Sequence, residues 1–223
     1  MSAKLTRRRK PEPRRPGRPR ADEANQRERL LDAAVDCFAG DGIAATSLRA
    51  IALKAGVTPA LVNYYFGSKA ALVDAFIAER LTPVAASLRE GLVAAGPDSR
   101  ALMSAFVRGM HDVVARHPWW PALWVREVLN EKGALRDVLR KQIAPQVAQL
   151  LAGALADAQK RGELAADLDP RLTVVSLMGL TMMPLAAEHI WRRVFAANDI
   201  DRDLLLRHTL ALLDHGLGGK HAR

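Results

Sequence analysis

The 223 residues carry 33 Lys/Arg against 24 Asp/Glu, a formal charge of +9, and are 49% hydrophobic but only 5% aromatic. That length holds one medium domain or two small ones, and the abundance of Ala and Leu points to an all-α build rather than a sheet protein. A single cysteine, Cys37, excludes an internal disulfide and suits a reducing cytoplasm, where the protein is expected to reside.

Charge is concentrated at the start. Residues 1–20 hold nine Lys/Arg and one acid, Glu12, a local +8 that leaves the rest of the chain at +1. With four prolines and little apolar content, residues 1–21 are expected to form a disordered basic arm. No apolar stretch follows of the kind a signal peptide needs. A first helix is predicted over 22–39, where Leu30, Leu31, Ala34, Val35 and Phe38 share one face. Cys37, beside Phe38, reads as an inert buried thiol. After Gly40-Asp41-Gly42, residues 46–66 predict two short helices about a turn at Gly56. Thr46 is placed to cap the first and Thr58 the second, with Pro59 where a missing N–H costs nothing. Ser68 then caps a helix carrying Leu72, Val73, Phe76 and Ile77, interrupted or kinked at Pro83.

Further along, Val84, Leu88 and Leu92 mark a helix ended by Gly96-Pro97. Ser99 is placed to cap the next, whose Leu102, Phe106, Met110 and Val113 run towards His117-Pro118. Another helix is predicted over 119–130. Residues 146–160 show a regular apolar stripe of Val147, Leu150, Leu151, Ala154, Leu155 and Ala158. Asp169-Pro170 opens a helix through Val174, Leu177 and Leu180, with Pro184 bending its second half. A last helix from about Asp201 aligns Leu206, Leu210, Leu213 and Leu217. No two-residue alternation marks a strand. The longest charge-free run, residues 172–187, is sixteen long and falls short of the roughly 20 residues that span a bilayer, so no membrane association is expected.

The window 46–69 is the most specific signal. Counting Leu48 as one, small Ala52 falls at five, Gly56 at nine and branched Val62 at fifteen. That is the packing register of a DNA-binding helix-turn-helix: a small residue at the crossing, a permissive turn, a core plug. With the amphipathic helix before it and Tyr64-Tyr65-Phe66-Gly67-Ser68-Lys69 after it, the block resembles the N-terminal domain of TetR-type transcriptional regulators. The resemblance implies an all-α protein with a DNA-binding domain over 22–80, a helical effector-binding and dimerisation domain over 81–217, and a short tail at 218–223. It further implies a homodimer that binds double-stranded DNA, more often as repressor than activator. No cofactor and no metal is expected.

The outward face of the second helix presents Thr58, Pro59, Ala60, Leu61, Asn63 and Tyr64, with no Lys or Arg among them. Asn63 is the one side chain there that can pair bidentately with adenine. Many relatives carry an aromatic residue at that position, so no base-reading role comes to it from the resemblance. Phosphate contacts would fall to Thr46, Ser47, Arg49, Thr58, Tyr64, Tyr65 and Lys69, where the plainer alternative is a capping or solvated residue. So sparse a helix gives weight to the arm: Pro16-Gly17-Arg18-Pro19-Arg20 resembles the Gly-Arg-Pro core of AT-hook peptides, placing Arg18 and Arg20 in an A/T minor groove.

For the second half, the helices at 146–160 and 170–187 are the expected dimer interface. Trp120, Trp124, Phe106, Met110, Met178 and Met182, with Glu127 as a polar anchor, are the candidate walls of a site for a small lipophilic or aromatic effector. Ordinary core packing is the alternative for these residues. An enzyme is disfavoured: six histidines form no HExxH, one cysteine permits no CxxC, and no GxSxG occurs. The remaining rival is an architectural protein that coats A/T-rich DNA through the arm.

Overall fold

The computed structural model describes residues 21–216, which are all-helical in architecture. The arm with Arg18 and Arg20, and the end of the chain with Leu217, lie outside the described residues. Helix α1 (Ala21–Asp41) buries Leu30, Leu31, Ala34, Val35 and Phe38 on one face, as their spacing requires. Against it packs α2 (Leu48–Ala55), on which α3 (Pro59–Phe66) lies in turn; their inward residues are Ile51, Ala52, Val62 and Phe66. Between them Gly56 adopts φ 68°, and the Val57 N–H returns to the Ala52 carbonyl at 2.9 Å, a Schellman closure open to glycine at little cost. Ser68 caps α4 (Lys69–Phe76) by accepting the Ala71 N–H at 3.1 Å.

Two cap expectations need correction. The N-cap of α2 is Ser47, whose Oγ accepts the Ala50 N–H at 3.1 Å. Thr46 instead turns inward, and its hydroxyl donates to the Gly42 carbonyl at 2.7 Å. Asp98, not Ser99, caps α6, since the longer carboxylate reaches the Ala101 N–H at 2.6 Å. Thr58 does precede α3, but its side chain makes no capping hydrogen bond.

From α4 the chain runs through a π-helical turn, Ile77–Leu81, into α5 (Thr82–Ala94). Pro83 lacks the N–H that the Glu79 carbonyl would take four residues earlier, and the Arg80 guanidinium donates to that carbonyl at 3.2 Å instead. Helix α6 (Ser99–Arg116) is the central rod of the second half, flanked by α5, α9, α10 and α12. Helix α7 (Trp120–Leu123) continues as a second π turn, Trp124–Leu129, so the helix expected over 119–130 is not uniformly α. Then α8 (Arg136–Val138) passes through a third, Leu139–Ile143, into α9 (Ala144–Lys160), again just ahead of a proline, Pro145. Leu135, Val138, Leu139 and Ile143 carry the helical spacing that would have announced this stretch.

Helix α10 (Pro170–Ala186) contains Pro184, yet the chain breaks three residues later. At Ala187 it turns by 71° into α11 (Glu188–Val194), and the Trp191 indole N–H donates to the Pro184 carbonyl at 2.7 Å. Helix α12 (Arg202–Gly216) packs on α6. Among the described residues no single helix is long and apolar enough to cross a membrane.

The apolar stripe of α9 is consumed within the protomer. Leu151, Leu155 and Ala158 are buried against α6 and α10, and Gln146, Gln149, Asp157 and Lys160 face outward. The stripe that suggested α9 as a dimer face is thus largely spent on packing within the protomer. Exposed apolar side chains include Leu172, Val175 and Met183 on α10, Ile190 and Val194 on α11, and Leu204 and Leu212 on α12.

Candidate nucleic-acid interface and ligand cavity

Thr58, Pro59, Ala60, Asn63 and Tyr64 form one exposed face of α3, and Val62 and Phe66 anchor the opposite face in the core. Tyr64 is 76% exposed and meets half-buried Tyr65 edge-on, with ring centroids 5.2 Å apart. Leu61 is half-buried. Ser47 and Arg49 stand exposed at the start of α2, flanking that face. Lys69 has an internal duty: its Nζ donates to the Ala44 carbonyl at 2.9 Å, tying the start of α4 to the turn before α2. Thr46 is removed from the candidate contacts, because its side chain is 3% exposed and its proton is committed to the Gly42 carbonyl.

The helix-turn-helix is fixed to the rest of the molecule by charge as well as by the chain. Arg27 grips Glu79 bidentately at 2.6 and 2.7 Å and lies over the Phe66 ring at 5.0 Å. That grip holds the Glu79 carboxyl below the ordinary carboxylate range. The neighbouring Arg80 reaches Glu28 at 2.6 Å and Asp32 at 2.9 Å. Both tethers link α1 to the π turn at Ile77–Leu81. Cys37 is buried nearby, and desolvation raises its thiol above its usual range, which suits an unreactive core residue.

In the second half, a cavity of about 100 Å³ lies among α5, α6, α9, α10 and the two π turns at Trp124–Leu129 and Leu139–Ile143. Five residues singled out from the sequence share its wall: Phe106, Met110, Trp120, Trp124 and Met178. Leu88, Ile143 and Val147 also line it and were not anticipated, because nothing in their spacing separates a cavity wall from a filled core. Two expectations fail here. Met182 is wholly buried but is not a wall residue. Glu127, 4% exposed, does not line the cavity either; its carboxylate accepts the backbone N–H groups of Ile43 and Ala134, each at 2.8 Å.

Comparison with known proteins settles the class. Residues 30–76 match the bacterial regulatory proteins of the tetR family, and residues 99–219, more than half of the chain, match the C-terminal domain of the HTH-type transcriptional dual regulator CecR. The chain belongs to the TetR family. It is a DNA-binding transcriptional regulator with a CecR-like C-terminal domain, in a family that is not enzymatic.

Among similar proteins, this TetR-family regulator is 26% identical over 199 residues to the HTH-type transcriptional repressor KstR2 of Rhodococcus jostii, a match that covers 89% of this chain and 94% of that one. Its fold is that of the ketosteroid transcriptional regulator KstR2 of Mycobacterium tuberculosis, with a TM-score of 0.71 at 19% identity over 87% of this chain and 96% of that one. It also shares the fold of FadR from Bacillus subtilis, solved in complex with stearoyl-CoA, with a TM-score of 0.63 at 20% identity over 85% and 98% of the two chains.

Proposed function

We propose that this TetR-family regulator is a homodimeric repressor that holds a pseudo-palindromic operator and releases it when a small, largely apolar effector enters the cavity. The observation that carries the reading is the wall: fifteen residues line it and none is charged. Such a wall favours an aliphatic or polycyclic body and penalises a buried ion. The indole N–H of Trp120, a wall residue, is buried without a hydrogen-bond partner, and an acceptor oxygen on the effector would satisfy it. Two similar structures, a ketosteroid transcriptional regulator and a regulator solved in complex with stearoyl-CoA, are consistent with ligands that have a large apolar part.

The second copy would dock on α10 and α12. Leu172, Val175, Ser176, Gly179 and Met183 share the exposed face of α10, where the small residues allow close helix approach; Leu204 and Leu212 extend the apolar patch on α12. On DNA, Asn63 is the proposed adenine reader. Ser47, Arg49, Thr58, Tyr64, Tyr65 and Lys69 hold phosphates, Pro59, Ala60 and Leu61 touch thymine methyls or sugars, and Arg18 and Arg20 follow the minor groove.

Selection of genomic fragments by the purified full-length protein, with and without long-chain acyl and steroid ligands, tests this reading. It expects a two-fold symmetric site that is lost on addition of one ligand class. Recovery of unrelated A/T-rich fragments, indifferent to every ligand, would overturn it in favour of an architectural role.

A further inference from the structure

The carboxylate of Glu127 joins two parts of the molecule that the chain keeps 84 residues apart. Its Oε1 accepts the Ile43 N–H at 2.8 Å, in the turn that leads into α2. Its Oε2 accepts the Ala134 N–H at 2.8 Å, in the loop that follows the Trp124–Leu129 π turn. The turn before α2 is held on two other sides by groups of the helix-turn-helix domain itself: the Lys69 ammonium on the Ala44 carbonyl and the Thr46 hydroxyl on the Gly42 carbonyl. Glu127 is thus the tie that comes from the cavity side.

The packing around this tie leaves little slack. A side chain at Gly133 would collide with the Glu127 backbone, and a Cβ at Gly42, where φ is +90°, would lie 3.1 Å from Glu127 Oε1. Packing is less complete three residues earlier on the same π turn. Trp124 walls the cavity, and it also borders a separate void of about 10 Å³ shared with Leu81, Leu135 and Val138. The cavity itself, at about 100 Å³, is smaller than the roughly 300–1,000 Å³ of pockets that hold drug-sized ligands, so an occupant must push a wall outward. Trp124 stands on an i→i+5 turn, a geometry that is rare and concentrated at functional sites.

We propose that Glu127 is a positioning residue that transmits cavity occupancy to the helix-turn-helix. Displacement of Trp124 shifts the π turn, and the carboxylate moves the Gly42–Ile43 backbone with it, which re-aims α2 and α3. Breaking the bond to Ile43 would leave a buried side-chain oxygen and a buried N–H without partners, so the displacement is passed on rather than absorbed. The inference rests on the effector reading above.

The experiment uses the full-length protein and N-phenyl-1-naphthylamine, an uncharged fluorescent hydrophobe, as the cavity probe. Amide resonances of Gly42, Ile43 and α2 should shift when the probe binds the unmodified protein, while hydrogen exchange at Ile43 stays slow because its bond to Glu127 is kept. In Glu127→Gln, one oxygen acceptor is replaced by an amide NH₂. Probe affinity should stay within about 2-fold, hydrogen exchange should accelerate at Ile43 or at Ala134, whichever N–H then faces the amide NH₂, and probe-dependent loss of affinity for selected operator DNA should shrink from about 10-fold or more to under about 3-fold. Unchanged amide resonances at Gly42 and Ile43 in the probe-bound unmodified protein would overturn the proposal, and so would full probe-dependent release in Glu127→Gln. Failure of the probe to bind, or binding that Ala148→Trp does not weaken, would overturn the cavity reading and the proposal with it.

Discussion

In the four N-terminal helices, Phe38, Ile51, Val62, Leu72 and Phe76 are enclosed on all sides, and α2 and α4 begin on serine caps. Between Ile77 and Ile143 the same chain carries three π turns, and Trp124 stands between a cavity and a void. The contrast follows from what each region must do. A DNA-reading surface has to present Asn63 and its neighbours in one arrangement, whereas a receiver of small molecules needs walls that can move. The two π turns that immediately precede Pro83 and Pro145 show one way to build such walls, by placing prolines where a regular helix would need a donor.

Breaking the stiff half should have the largest effect. Phe38 is fully buried and meets Phe76 edge-on at 5.5 Å, so Phe38→Ala should cost about 3–5 kcal/mol in urea unfolding. A cost under about 1 kcal/mol would mean that the helix-turn-helix core collapses around the loss and is not stiff.

A matched pair of enlargements sharpens the contrast. Ala52, at the crossing of α2 and α3, is 1% exposed, and Ala52→Leu should cost about 1–3 kcal/mol through overpacking. Ala148 faces the cavity, and Ala148→Leu should change stability by less than about 1 kcal/mol, because the added atoms enter empty space. Equal penalties at the two sites, measured by the same denaturant titration, would erase the distinction.

Caps give a smaller test inside the stiff half. Ser47→Ala removes an observed bond to the Ala50 N–H and should cost about 1 kcal/mol. Thr58→Ala removes no capping bond and should cost only a few tenths in thermal melts, although it is expected to weaken DNA binding if its hydroxyl meets a phosphate.

The smallest expected effect is a pH dependence in the second half. Burial depresses the pKa of His111 on α6, and the positive charge of Arg202 adds to it, while Asp112 opposes them. The unfolded chain therefore binds a proton at pH values where the folded chain does not. Stability is complete above the unfolded value of about 6.5 and declines as pH falls through it. Burial lowers His117 in the same sense. Urea unfolding at pH 7.5 and 5.5 should show this loss, and His111→Leu should reduce it; an identical pH response in the variant would remove His111 as its source.

Much of the first half was legible in the residues. The spacing of Leu30, Leu31, Ala34, Val35 and Phe38, with Ala52, Gly56 and Val62, dictates which faces meet, because few packings satisfy a small crossing residue, a left-handed turn and a branched plug together. The misplacement of caps at Thr46 and Ser99 shows the limit of that reading. Neighbouring hydroxyl and carboxylate residues differ only in where the backbone aims them, and Gly42 draws Thr46 inward. In the second half, periodicity locates α6, α9, α10 and α12 but cannot say which apolar stripe stays within the protomer, and the helical stretch from Arg136 to Ile143 is not announced by any cap or stop signal.

Local pattern alone determined the helical class, the helix-turn-helix and the family likeness, since these depend on residues a few positions apart. The tertiary structure decided the rest. Glu127 reads from the sequence as a polar anchor for an effector, and nothing near it in the sequence points to an N–H 84 residues away. A cavity is likewise a property of which surfaces fail to meet, and that becomes defined only when α5, α6, α9 and α10 are packed together.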